Sequence, residues 1–264
     1  MGNSTLEKDK YLLEKRFMEL SRTAYQRDII TYSDFLNLNE QNILHTLPKD
    51  KWFSQIITFG GDDMAERQMA AFIPDALYLR YGEKEGTVPP YPFKMIQILP
   101  LNRKFSEDLT HRDYLGAVLN LGIDRVKIGD ILMQNSTALL FVHNDVAAFI
   151  CEELTRIRHT SVKAEEVPFF DIQYTPKYEE ISGTVASVRL DTLLALAFSS
   201  SRTKLTGLIE GGKVFVNGKL ITSNGYQPEE GDLISVRGMG KFRFVGIGNK
   251  TRKNRIYAQI YKYI

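Results

Sequence analysis

At 264 residues, with 43% hydrophobic and 25% charged side chains, the chain has an ordinary globular composition and room for two or three compact domains. Its single cysteine, Cys151, excludes an intramolecular disulfide framework and a cysteine-based zinc cluster, and no apolar run reaches the roughly 18 residues that a membrane-spanning helix needs. The formal net charge of +2 hides an asymmetry: residues 181–264 hold 13 Lys and Arg against 5 Asp and Glu, whereas residues 1–180 hold 21 against 27, so a segment of +8 follows one of −6. Such a contrast points to nucleic acid or another anionic surface. The start MGNSTLEKDKYLLEK is polar and charged, without a signal-peptide pattern, and predicts a cytoplasmic protein.

Along the chain, Leu13, Phe17, Leu20 and Ala24 follow the spacing of one buried helix face. Ser33 or Asp34 is expected to cap a second helix that runs through Leu47, ahead of Pro48. Ile56–Phe59 leads into Gly60-Gly61-Asp62-Asp63 and then a predicted helix over Met64–Phe72. The glycines read as a turn and an Asp as the cap, rather than as a metal site. Residues 1–85 are therefore expected to be a helical region. The glycines and prolines between Tyr81 and Pro92 mark the first boundary.

Residues 86–178 alternate elements. Strands are predicted at Phe93–Leu99, Arg125–Ile131, Ala138–His143 and Ser161–Val167, with helices at Asp113–Leu121 and Val146–Arg156. That order, βαββαβ, is the arrangement of ferredoxin-like folds and of RRM-type RNA binders, although no segment carries the aromatic-rich sequence of a base-stacking RRM sheet. His111-Arg112-Asp113 matches a kinase catalytic-loop triplet but lacks its companions, and the four histidines are scattered without ligand spacing. No catalytic, metal or cofactor residues are predicted.

The last segment is the most legible. Leu190, Leu193, Leu194 and Ala197 form one apolar helix face, and the serines Ser199 to Ser201 break it and supply a cap for a second helix. Leu205, Leu208 and Ile209 line that second helix, and Gly211-Gly212 end it. Val214–Val216 then enters an Asn217-Gly218 hairpin. Arg189, Arg202 and Lys204 stand at helix starts, where cations oppose the helix dipole, so an anion is expected there. Farther on, Lys241–Val245 and Ile256–Tyr261 alternate like strands and flank the basic stretch Lys250–Arg255.

Arg189-Leu190-Asp191, Ser201-Arg202-Thr203, Leu208-Ile209, Gly212-Lys213-Val214, Val216-Asn217-Gly218 and Gly231-Asp232 together resemble the S-four RNA-binding domain. The resemblance implies an αα-plus-β-sheet domain over 181–264, with a C-terminal β-hairpin extension. It implies Arg189, Arg202, Lys204 and Lys213 as phosphate contacts and Ser201, Thr203 and Asn217 as polar neighbours. Arg237, Lys241 and Arg243 complete the candidate RNA surface. One phosphate is expected between Arg189 and Arg202. Gly207 within the second helix and Phe215 in the hairpin depart from the pattern.

With Thr58-Phe59-Gly60-Gly61, Ala65-Glu66-Arg67, His111–Ala117, Leu121-Gly122-Ile123 and Gly129-Asp130, nearly the whole chain resembles the YlmH family of bacterial RNA-binding proteins. This implies an α+β protein that is not an enzyme and binds ribosomal RNA and/or tRNA. The large ribosomal subunit is the implied partner, in quality control of stalled subunits, with no membrane and no small-molecule substrate. An RNA-modifying enzyme of the pseudouridine-synthase kind and a cell-division adaptor are the alternatives.

Overall fold

The structure, a computed structural model, describes residues 2–82, 89–134, 137–168, 176–251 and 255–263. It divides into two compact units, residues 1–174 and 175–264, and each apolar cluster draws its side chains from one unit alone.

The first unit opens with α1 (Gly2–Arg27), whose Phe17, Leu20 and Ala24 are buried as their spacing predicts. After β1 (Thr31–Tyr32), α2 (Leu38–Thr46) is capped by Asn37 and not by Ser33 or Asp34. The Asn37 side chain accepts from the N–H groups of Asn39 and Glu40 at 2.9 and 3.2 Å, and the Glu40 carboxylate accepts from the Asn37 N–H at 2.7 Å. Ser33 accepts instead from the Ala70 N–H at 2.9 Å.

No helix forms over Met64–Phe72, where the sequence predicts one; Met69–Ile73 is a strand. β2 (Gln55–Phe59) and β3 (Met69–Ile73) pair antiparallel, with β1 on the other side of β3. Every residue of β3 is buried, and a short apolar run without a period fits a central strand as well as a piece of helix. Residues 1–85 thus contain a three-stranded sheet beside their helices, the last of which is α3 (Asp75–Gly82). The expected boundary falls partly on residues 83–88, outside the described residues.

β4 (Phe93–Pro100), α4 (His111–Asn120), β5 (Ile128–Gln134), β6 (Thr137–His143), α5 (Asn144–Glu153), β7 (Arg156–Ile157) and β8 (Thr160–Val167) follow. Their antiparallel sheet runs β5-β6-β4-β8-β7, the strand order of a ferredoxin-like βαββαβ unit with one short strand added at the edge. Arg125–Lys127 form a single 3-10 turn, so β5 begins at Ile128. The triplet His111-Arg112-Asp113 starts α4. Asp113 accepts from the Thr110 N–H and hydroxyl at 2.8 and 2.7 Å, so the triplet's Asp serves in a helix cap.

One face of this sheet packs on α4 and α5 through Ile96, Ile98, Leu140 and Val142 against Tyr114, Val118, Ala147 and Ile150. The opposite face, on which an RRM stacks bases, is core here. Phe35, Phe59, Met69 and Tyr91 cover Phe93, Met95, Leu139 and Phe141, with ring centroids 5.3 Å apart for Phe35 and Phe93. A polar joint locks the two sheets. The Asp130 carboxylate accepts from the N–H groups of Glu66 and Arg67 at 2.7 and 3.2 Å. The Arg67 guanidinium donates to the carbonyls of Ile128, Phe35 and Arg125 at 2.8, 2.9 and 3.1 Å. Burial, with Arg67 close by, lowers the Arg125 guanidinium to about 10. A side chain at Gly129 would press within 2.7 Å of Phe35 and 2.9 Å of Phe141.

The second unit is a six-stranded antiparallel sheet with two helices on one face. Its elements are β9 (Tyr178–Val185), α6 (Leu190–Phe198), α7 (Arg202–Glu210), β10 (Val214–Val216), β11 (Lys219–Leu220), β12 (Leu233–Val236), β13 (Gly240–Lys250) and β14 (Ile256–Tyr263), and the sheet order is β11-β10-β12-β13-β14-β9. Leu193, Leu194, Leu205 and Ile209 of the helices meet Val214, Ile234, Phe242, Phe244 and Ile260 of the sheet. β9 starts at Tyr178, ahead of the expected start at 181, and pairs with β14 over eight residues.

Candidate nucleic-acid interface

The turn between α6 and α7 is built as its serines predict. Ser199 takes a left-handed conformation at φ 46° that ends α6, and the Ser201 hydroxyl accepts from the Lys204 N–H at 3.4 Å to start α7. Thr203 and Lys204 are exposed on the first turn of α7. Arg202 occupies the first position of that helix, and its side chain lies outside the described residues. The Lys262 ammonium sits 5.6 Å from the ring centroid of Phe198, the last residue of α6, and so adds a cation beside this turn. Sequence reasoning passed over Lys262, although it stands where strand alternation calls for an apolar residue.

The other helix start is different in kind. Arg189 precedes α6, and its guanidinium holds Asp191 through Nε at 3.0 Å and Nη2 at 3.3 Å. Its charge is therefore already answered by a carboxylate in the first turn, where an acid also suits the helix dipole. Asn224 ties this end of α6 to the far end of α7. The Asn224 carbonyl accepts from the Asp191 N–H at 3.5 Å, and its side-chain amide donates to Glu210 at 2.8 Å. Nine residues of α6 separate Arg189 from the turn, a rise of about 13 Å. The expected phosphate shared by Arg189 and Arg202 would have to bridge that distance. The two helix starts lie at opposite ends of the helical hairpin.

Lys213 and Arg237 belong together. The Arg237 N–H donates to the Lys213 carbonyl at 2.9 Å, and the Arg237 guanidinium lies 5.5 Å from the Phe215 ring centroid, so both exposed cations stand where β10 begins and β12 ends. Asn217, by contrast, is engaged within its own turn. At φ 47° it opens the hairpin with Gly218, donates to Asp232 at 2.7 Å, and accepts from the Leu233 N–H at 2.9 Å. Two pieces of the sequence pattern, Val216-Asn217-Gly218 and Gly231-Asp232, are thereby one hydrogen-bonded unit. Lys241 and Arg243 are half-buried on β13, out of phase with the inward Phe242 and Phe244, and so lie on the sheet face away from the helices. The basic stretch after β13 has residues 252–254 outside the described residues, and Arg255 donates to the Thr184 carbonyl at 2.6 Å.

Four acids of this unit are engaged locally, Asp191 with Arg189, Glu210 with Asn224, Glu230 with the Ile247 N–H at 3.1 Å, and Asp232 with Asn217, while Glu179 stands across from Lys262 in the β9–β14 register. Lys204 at the α6–α7 turn and the Lys213–Arg237 pair are exposed cations that raise the local potential. Among the described residues, no group of three or more His, Cys, Asp or Glu is placed to hold a metal ion, and no helix is long and apolar enough to cross a membrane.

Residues 90–171 match the family model described as "Putative RNA-binding domain in YlmH", and residues 188–234 match the S4 domain. The chain is 30% identical over 249 residues to "Ribosome-associated protein quality control protein P2" of Bacillus subtilis (strain 168), covering 94% of this chain and 93% of that protein. A solved structure, "Cell division protein ylmH from Streptococcus pneumoniae", overlays with a TM-score of 0.47 at 23% identity, over 62% of this chain and 93% of that one. With a relative this similar along almost its whole length, the chain belongs to the YlmH family and carries its S-four domain at the C-terminus.

Proposed function

We propose that this protein is a cytoplasmic, non-enzymatic factor that binds structured RNA, ribosomal RNA and/or tRNA, on the large ribosomal subunit. In this reading it serves the quality control of stalled subunits. The observation that carries the reading is the α6–α7 turn. There Thr203 and Lys204 are exposed on the first turn of α7, whose N-terminus favours an anion, and Lys262 lies beside Phe198 at the end of α6. The printed name of the Bacillus subtilis relative, a ribosome-associated quality control protein, supports the ribosome as the place of action. The contacts are proposed in two groups. Ser201, Arg202, Thr203 and Lys204 line the helix turn, and Lys213 with Arg237 lines the hairpin end. Arg189 contributes less, because Asp191 holds it.

Crosslinking in cells, followed by sequencing of the attached RNA, tests this. Reads concentrated in large-subunit ribosomal RNA and tRNA are expected. Enrichment of messenger RNA, or no enrichment over an untagged strain, contradicts it. Mass spectrometry of RNA digested after incubation with pure protein is expected to reveal no new modified nucleoside.

A further inference from the structure

The sheet face opposite α6 and α7 carries a row of tyrosines that the helix-start surface does not use. Alternation along β14 turns Ala258 and Ile260 into the core and sends Tyr257, Tyr261 and Tyr263 the other way. β9 adds Tyr178, whose ring stacks on Tyr261 with centroids 4.3 Å apart and planes 24° apart, and meets Tyr263 edge-on at 6.2 Å. Tyr178 and Tyr257 are each 44% exposed. Arg243 stands directly across from Tyr261 in the β13–β14 register, and Lys241 shares its face two residues away. An acid on this face, Glu180, accepts from the Gln259 side chain at 2.9 Å and from the Tyr261 hydroxyl, which holds that phenol above its ordinary range.

Cross-strand tyrosine pairs stabilise sheets on their own. They do not call for an Arg and a Lys on the adjoining strand, nor for rings left open to solvent. Exposed rings set in a cationic field are the combination that binds single-stranded nucleic acid, with bases stacking on the rings and phosphates meeting the cations. From Tyr257 to Tyr263 the strand runs about 20 Å, room for two or three stacked bases. We infer that this outer face is a stacking platform for unpaired nucleotides of the bound RNA. The inference rests on the RNA-binding reading above and adds a second contact surface to it. It also supplies the base-stacking sheet that the ferredoxin-like domain cannot offer, since that domain's corresponding face is core.

The test uses the full chain and two fluorescent probes, an unstructured RNA strand of mixed adenosine and cytidine and an RNA duplex of equal length. Replacing Tyr178→Ala and Tyr263→Ala together is expected to weaken single-strand binding by about fivefold or more, with duplex binding changed less than about twofold because its bases are not free to stack. The double Tyr→Phe variant is expected to bind both probes like the wild type, since the ring is kept. Photocrosslinking of the wild type to a 4-thiouridine strand, followed by peptide mapping, guards against a variant that fails to fold. Adducts on β14 and β9 are expected. Unchanged single-strand binding in a folded Ala variant, or adducts confined to the α6–α7 turn, overturns the platform while duplex binding persists. A wild type that binds neither probe overturns the RNA-binding reading itself.

Discussion

The amide of Asn217 uses its oxygen on the Leu233 N–H and its nitrogen on Asp232, in a turn whose positive φ of 47° suits Asn better than most residues. Asn217→Ala is therefore expected to lower stability by about 1–3 kcal/mol, measured by urea unfolding, while the folded fraction keeps its RNA affinity. A stable variant with lost affinity would return Asn217 to the RNA contacts. Arg189 is the converse case, a cation with a carboxylate partner. Asp191→Ala is expected to free that guanidinium, strengthen RNA binding at low salt and steepen the slope of log affinity against log salt. Lys204→Ala is expected to flatten that slope by about one unit. Arg189→Ala should change it less. A slope unaffected by Lys204→Ala but halved by Arg189→Ala would invert the two contact groups. None of these roles could be read from residue type, because Asn, Arg and Lys look alike in sequence whether or not a partner lies across a turn.

At the scale of elements, the legible parts are those with a local signal. The αα unit announces itself through amphipathic spacing, a serine cap and terminal glycines, and all three work as read. β3 does not, because Met69–Ile73 has no polar face to set a period, and only its pairing with β1 and β2 makes it a strand. The separation of the Arg189 and Arg202 helix starts was readable from the nine-residue length of α6, a property of helix rise that residue spacing alone does not display. Gly207 sits inside α7, where an added Cβ would meet nothing within 4 Å. Gly207→Ala is expected to stabilise the protein by about 1 kcal/mol, seen as a higher thermal midpoint. A lower midpoint would mean that α7 is not the regular helix described. In α4, the Thr110 hydroxyl and N–H hold the Asp113 carboxyl below its ordinary value of 3.8. That stabilisation is present above 3.8 and is lost as the pH falls through the folded-state value. Wild type and Asp113→Asn should thus differ in thermal midpoint at neutral pH and converge in acid, whereas a constant difference at all pH values would exclude the cap as its cause.

At the scale of the whole molecule, the two units differ in charge and in what their sheets leave open. The first buries both faces of its ferredoxin-like sheet, one under helices and one under the N-terminal aromatic cluster. The second packs its two helices on one face of its sheet, leaves Tyr178 and Tyr257 exposed on the other, and concentrates the cations, +8 over residues 181–264 against −6 over 1–180. Charge asymmetry and the S-four pattern were legible because both are local sums over the chain. The burial of the RRM-like face was not, since it depends on Phe35, Phe59 and Met69 arriving from distant segments. Each unit has a core of its own, so each can be purified and examined alone. The decisive measurement is a titration of ribosomal RNA fragments with the full chain, residues 1–174 and residues 175–264 at several salt concentrations. Residues 175–264 are expected to keep most of the affinity and nearly the full salt slope, with residues 1–174 binding weakly. Affinity and salt slope residing in residues 1–174 would contradict the assignment of RNA binding to the C-terminal unit.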